Sequence, residues 1–150
     1  MAELLRRESF SLVEILIIIG IIGILVSIIL PVFRIFEPDF QLSGTTRDLV
    51  SDFRYAQQLA VTEQVEHGVR FSILLEKYQL IRYVTPEEIL KESELPSRVS
   101  FEKIEGFTNE EVKFNPYGAV KESGTVTLKN DRGKMTTIDV RPSGFIKILK

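Results

Sequence analysis

The amino-acid sequence predicts an α+β protein in which one long amino-terminal helix packs on an antiparallel β-sheet domain. Three observations predict it. Residues 15–33 form nineteen consecutive uncharged positions, mostly Ile, Leu and Val. Residues 45–66 then repeat apolar side chains at helical spacing. From Val69 onward the period falls to two, with turn residues between short apolar runs. A length of 150 residues is one domain's worth of chain, and 44% hydrophobic with 27% charged residues is an ordinary average over a very uneven distribution.

The apolar run comes first. At about 1.5 Å per helical residue, nineteen residues span roughly 28 Å, close to the hydrocarbon thickness of a bilayer. Arg6 and Arg7 precede it, which by the positive-inside rule predicts a cytoplasmic amino terminus and an extracytoplasmic remainder. Three readings compete: a secretory signal peptide, a plain signal anchor, and an assembly helix. Leu30-Pro31-Val32-Phe33 stands where a signal peptide would carry small residues for cleavage. Glu14 is the residue a plain anchor does not explain. A carboxylate costs about 2.5–3.5 kcal/mol at mid-bilayer and less near the interface, so an acid here asks for a cationic partner or a place at the headgroup boundary.

Setting aside residues 1–33, with Arg6 and Arg7 against Glu3, Glu8 and Glu14, leaves 17 basic and 18 acidic side chains. A domain that near to neutral is a poor candidate for binding nucleic acid by bulk charge. With no cysteine, thiolate metal sites, disulfides and cysteine nucleophiles are excluded, and the single histidine, His67, leaves little for zinc or a histidine triad. No phosphate loop or metalloprotease motif occurs, so neither a catalytic residue nor a cofactor is expected.

Ser9-Phe10-Ser11-Leu12-Val13-Glu14-Ile15-Leu16, followed by the Ile-rich run and Pro31, resembles the amino terminus of type IV prepilins and pseudopilins. The resemblance implies cleavage between Ser9 and Phe10 by a prepilin peptidase and N-methylation of Phe10, with Ser9 standing where the family has Gly. It further implies that Glu14 faces the amino terminus of a neighbouring subunit, where an ammonium and a carboxylate relieve each other's desolvation in low dielectric. The implied parts are a leader at 1–9, a transmembrane assembly helix at 10–33, a soluble helical extension at 34–68 and an antiparallel β domain at 69–150. Pro31 matches the family's mid-helix proline and is expected to kink the helix. Gly20 and Gly23 fit either ordinary membrane-helix composition or close helix packing.

Beyond the span, Pro38 marks either a bend or a break. In residues 45–66, Leu49, Phe53, Ala56 and Ala60 follow a 4-3-4 spacing with Val50 and Val61 alongside, a stripe expected to face the core. Ser43 or Thr45 is placed to cap this helix and Gly68 to end it. Residues 69–75 and 78–84 read as a hairpin. Residues 85–96 read as a solvated acidic loop with one helical turn at 87–91. Residues 99–104 and 112–114 read as strands, and Asn115-Pro116-Tyr117-Gly118 as a turn. Residues 125–129 and 135–140 read as a hairpin around Asn130-Asp131-Arg132-Gly133, and residues 145–149 as a last strand. The spacing of Leu49 to Ala60 and the Phe114, Gly118, Gly124, Gly133, Ser143-Gly144 tail resemble, more loosely, the minor pseudopilin H and fimbrial T group.

The remaining clusters invite bland readings. His67 beside Glu66 is expected to be exposed or capping. Residues 130–133 make a turn, since a calcium loop needs alternating oxygen ligands and a distal Glu. Arg141, Lys147 and Lys150 form a small basic cluster, and the alternative reading is that this chain is a competence-type minor pilin binding DNA through them, although three charges make few phosphate contacts. The expected protein is a minor pilin-like structural subunit of a type II secretion or type IV pilus machine. Its expected place is the bacterial inner membrane, crossed once, and its partners other pilins, the peptidase and lipid, with no small-molecule substrate.

Overall fold

The computed structural model describes residues 11–149, with Val32 described through its backbone alone. The chain divides into two compact units, Met1–Glu37 and Pro38–Lys150. One helix, α1 (Leu12–Glu63), runs through the boundary. Residues 34–44 therefore continue the helix, and Pro38 lies inside it. Its ring leaves the Arg34 carbonyl without a helical donor, which a long helix tolerates locally. No new helix begins at Ser43 or Thr45, so neither caps a start. Thr45 and Thr46 are instead buried, and the Thr46 hydroxyl donates to the Leu42 carbonyl at 2.7 Å.

In the first unit, every described side chain of residues 11–31 is exposed. Leu12–Pro31 is the one helix segment among the described residues long and apolar enough to cross a membrane.

In the second unit, α1 presents Leu42, Leu49, Phe53, Ala56 and Ala60, none more than 1% exposed, to two four-stranded sheets. Val50 joins them, but Val61, expected in the same stripe, is 44% exposed because it lies round the helix from the sheet-facing side. The helix ends at Glu63, where Gln64 takes a left-handed conformation (φ +56°) and its side chain donates to the Val61 carbonyl at 2.7 Å. Gly68 does not end the helix. It lies inside β1, and a Cβ there would stand 2.2 Å from the Val112 carbonyl oxygen, so close strand packing is what requires glycine.

The strands are β1 (His67–Ser72), β2 (Lys77–Arg82), β3 (Glu88–Glu94), β4 (Val99–Glu105), β5 (Glu111–Phe114), β6 (Gly124–Asn130), β7 (Met135–Val140) and β8 (Ile146–Leu149). The first sheet has the order β3-β2-β1-β5 and the second β4-β6-β7-β8, with antiparallel pairing throughout. The expected antiparallel sheet domain is built as two sheets sharing one core. Phe71 on β1 is the joint: its ring meets Phe53 of α1 edge-on at 6.0 Å and Phe101 of β4 at 5.5 Å. The expected hairpins at β1–β2 and β6–β7 are present. Gly118 and Gly133 hold the positive φ their turns need, and Gly118 N–H donates to the Asn115 carbonyl at 2.8 Å.

The acidic stretch 85–96 is a correction. Residues 88–94 form β3, an edge strand, rather than a loop with a helical turn. Two of its three acids are paired across the sheet: Lys77 with Glu92 at 3.0 Å, and Arg82 with Glu88 at 3.3 Å. Cross-strand ion pairs let an acidic segment join a sheet that its composition disfavours.

Candidate functional site

Ser9 and Phe10, with the cleavage predicted between them, lie outside the described residues. Glu14 lies in the first turn of α1 and is exposed. An acid there complements the positive end of the helix dipole. The Glu14 and Ile15 amides both donate to the Ser11 carbonyl, at 3.0 and 3.2 Å, so the turn carrying the acid is closed by backbone bonds. Nothing stands within 4 Å of a Cβ built on Gly20 or Gly23, leaving a smooth strip open to close approach. Ser27, the polar residue deepest in the run, returns its hydroxyl to the Gly23 carbonyl at 2.8 Å, which hides its hydrogen-bonding need from lipid. Pro31 lies within the helix and offers no N–H to the Ser27 carbonyl.

In the sheet unit, three polar ties hold α1 to the strands. Asp52, buried on the helix, accepts the Tyr78 hydroxyl at 2.7 Å and the Lys91 ammonium at 2.7 and 2.8 Å, fastening β2 and β3. Burial, and after it the Asp52 carboxylate, pushes the Tyr78 hydroxyl above its ordinary range, so it remains a donor. Gln57 donates to the carbonyls of Gly118 at 2.6 Å and Gly144 at 3.2 Å, pinning two turns with one amide. Asp39 accepts from Asn130 at 2.9 Å and Lys134 at 3.1 Å, holding the β6–β7 turn. A fourth cluster lies within the first sheet. Glu111 is buried and accepts from Arg70, from Lys113 at 2.9 Å and from Tyr83 at 3.0 Å. Burial works to raise its carboxyl, but these donors outweigh it and hold the group below the usual carboxylate range.

His67 is neither exposed nor capping. It is fully buried, donating Nδ1–H to the Val65 carbonyl at 2.9 Å, with Nε2 3.3 Å from Glu63. The chain doubles back there from helix to strand and encloses the ring. Among the described residues no three His, Cys, Asp or Glu side chains gather as for a metal. The basic cluster is only partly assembled: Arg141 is engaged by Asp139 at 3.2 Å and lies over the Phe145 ring, while Lys147 is exposed on β8. Lys150 lies outside the described residues. Nothing here supports DNA binding.

The family model described as type II transport protein GspH matches residues 45–144, two thirds of the chain. The chain belongs to the GspH family. No curated protein sequence matches it. Among solved structures it is similar to the minor pseudopilin EpsH from the type 2 secretion system of Vibrio cholerae. The identity is 10%, the TM-score 0.64, and the match covers 73% of this chain and 96% of that one. It is also similar to the type IV minor pilin FimU of Pseudomonas aeruginosa, at 13% identity and a TM-score of 0.62, over 77% of this chain and 92% of that one. These likenesses show the fold, a long helix on antiparallel sheets. Family and fold are those of structural pilin and pseudopilin subunits, and this GspH-family chain is a minor pseudopilin-type subunit. Membership implies assembly with other pilins, and the apolar helix with the family fits a single-pass inner-membrane protein.

Residue patterns pointed to Glu14 but missed Asp52, Gln57 and Glu111. A polar residue on the buried side of an amphipathic helix is a readable signal, and Asp52 beside Phe53 gave it. Gln57 gave none, because its partners Gly118 and Gly144 are 61 and 87 residues away, and Glu111 gave none, because Arg70 and Tyr83 are 41 and 28 residues away.

Proposed function

We propose that this chain is an inner-membrane minor pseudopilin of a type II secretion machine, cut between Ser9 and Phe10 by prepilin peptidase and methylated on the new amino group. Its amino terminus lies in the cytoplasm before processing, as Arg6 and Arg7 direct, and residues 34–150 lie outside the membrane. The observation that carries the reading is an apolar helix with every described side chain of residues 11–31 exposed and one acid in its first turn. A span with no covering of its own is built to be covered by lipid and then by other subunits. Glu14 then takes up the positive amino terminus of a neighbour, Pro31 provides local unwinding as helices pack, and the chain's task is mechanical rather than catalytic. Gly20 and Gly23 allow the close approach that packing requires.

The test is the intact mass and amino-terminal sequence of the protein from its native membranes. A chain beginning at Phe10, one methyl heavier, is expected and shows that Ser9 serves in place of Gly. A chain that keeps residues 1–9 overturns processing and with it incorporation into a pseudopilus.

A further inference from the structure

The two ends of the sheet unit differ in what they expose. Gln57, which pins the turn carrying Tyr117, stands eighteen residues beyond Asp39 on α1, about 27 Å along the helix. Asp39 marks the other end. There Asn130 and Lys134 bind Asp39, and the β6–β7 turn, through Asp131 and Gly133, shares a cavity of about 460 Å³ with Glu76 and Arg98. Immediately before Glu76, a 3-10 turn, Ile73–Leu75, joins β1 to β2. Ile73 packs against the core, whereas Leu74 is 98% exposed and Leu75 64%.

Leu74 is the most exposed large apolar side chain among the described residues, and it stands on a turn closed by hydrogen bonds. Glu76 N–H closes the turn on the Ile73 carbonyl at 3.2 Å, and the Glu76 carboxylate accepts the Phe101 amide at 2.9 Å. Three acids at this end are paired within the protein, and Glu110, which shares a hollow with Leu74 and Leu75, stays exposed at the surface. Lys134 binds Asp39 and holds its carboxyl below the ordinary range, Arg98 faces Asp131 at 3.7 Å, and Lys129 binds Glu102 at 3.1 Å. Asp39 also follows Pro31, the last residue of the apolar span, by eight residues. Eight residues reach at most about 29 Å even fully extended, so this end is tethered close to whatever surrounds the span.

We infer that the β1–β2 turn is a membrane-contact element, with Leu74 and Leu75 inserting into the lipid interface on the outer side of the bilayer. The inference rests on the proposal that residues 12–31 cross the membrane. Interfacial insertion removes two leucines from water, a gain that scales with apolar area, and needs no buried charge. It holds the sheet unit against the membrane before assembly, and extraction into a filament withdraws the turn.

The chain contains no tryptophan, so a single introduced indole reports its own surroundings. Full-length Leu74→Trp, Tyr117→Trp and Ile22→Trp variants are reconstituted in phosphatidylcholine vesicles containing some phosphatidylglycerol, without bromine, with bromine near the top of the acyl chains to report Leu74→Trp, and with bromine near the chain ends to report Ile22→Trp at the middle of the span. Expected are blue-shifted emission and bromine quenching for Leu74→Trp and Ile22→Trp, and solvent-like, unquenched emission for Tyr117→Trp. Leu75→Trp provides a second reporter at the turn. If Ile22→Trp is quenched and Leu74→Trp stays solvent-like, the turn does not touch lipid and the inference falls alone. Blue-shifted but unquenched Leu74→Trp means that protein covers the turn, which also overturns it. An unquenched Ile22→Trp overturns the transmembrane reading and this inference with it.

Discussion

Gly144 carries more of the fold than its size suggests. Its φ is +78°, and a Cβ there would stand 2.0 Å from the Gly118 carbonyl oxygen and 2.3 Å from the Gln57 amide nitrogen. Gly144→Ala therefore meets backbone strain and a collision together, and is expected to destabilise the protein by about 1–3 kcal/mol in chemical denaturation. Unchanged stability would show that the two turns do not depend on this contact. Glu111 predicts a pH dependence. Its carboxyl is held below the ordinary value of 4.5 in the folded protein, so its contribution to stability is present above that value. That contribution is lost as the pH falls through 4.5 toward the folded-state value. Glu111→Gln is expected to flatten the acid limb of a plot of melting temperature against pH, and an unchanged limb would show that Glu111 is not one of the groups responsible.

At the scale of elements, α1 is held to the sheets by one apolar face and a few polar ties. Phe53 is fully buried and meets Phe71, which in turn meets Phe101, so a single side chain begins the aromatic chain through helix, first sheet and second sheet. Phe53→Ala is expected to cost about 3–5 kcal/mol, read as a lowered denaturation midpoint. A cost below 1 kcal/mol would mean that the core closes over the vacancy. The stripe Leu49, Phe53, Ala56, Ala60 was legible because helical periodicity is local. β3 was misread as a loop for the opposite reason: its glutamates look like solvated turn residues until Lys77 and Arg82, brought alongside by the β2–β3 register, pair with two of them.

For the whole molecule, the decisive prediction concerns assembly. If Glu14 takes up a neighbour's amino terminus, Glu14→Ala should still insert in the membrane and keep its folded sheet unit. It should nevertheless cross-link poorly into filaments beside the other pseudopilins. Wild-type incorporation of that variant would refute the pairing. The pairing rests on one observation of this chain, an exposed acid in the first helical turn.

By itself the sequence determined the class of protein. The uncharged run at residues 15–33, Glu14 at its start, the helical stripe and the alternating strands are all local patterns, and each follows from short-range spacing and hydropathy. The turn at residues 130–133 belongs with them, since its conformation depends on its own residues. Only the tertiary structure decided that residues 34–44 continue one helix, because helix continuity through Pro38 depends on Leu42 and its neighbours being buried by strands far along the chain. The division into two sheets, the enclosure of His67 beside Glu63 and the Gln57 clamp are of the same kind. Each depends on partners that are distant in sequence or on burial, and neither is visible to a reading that proceeds along the chain.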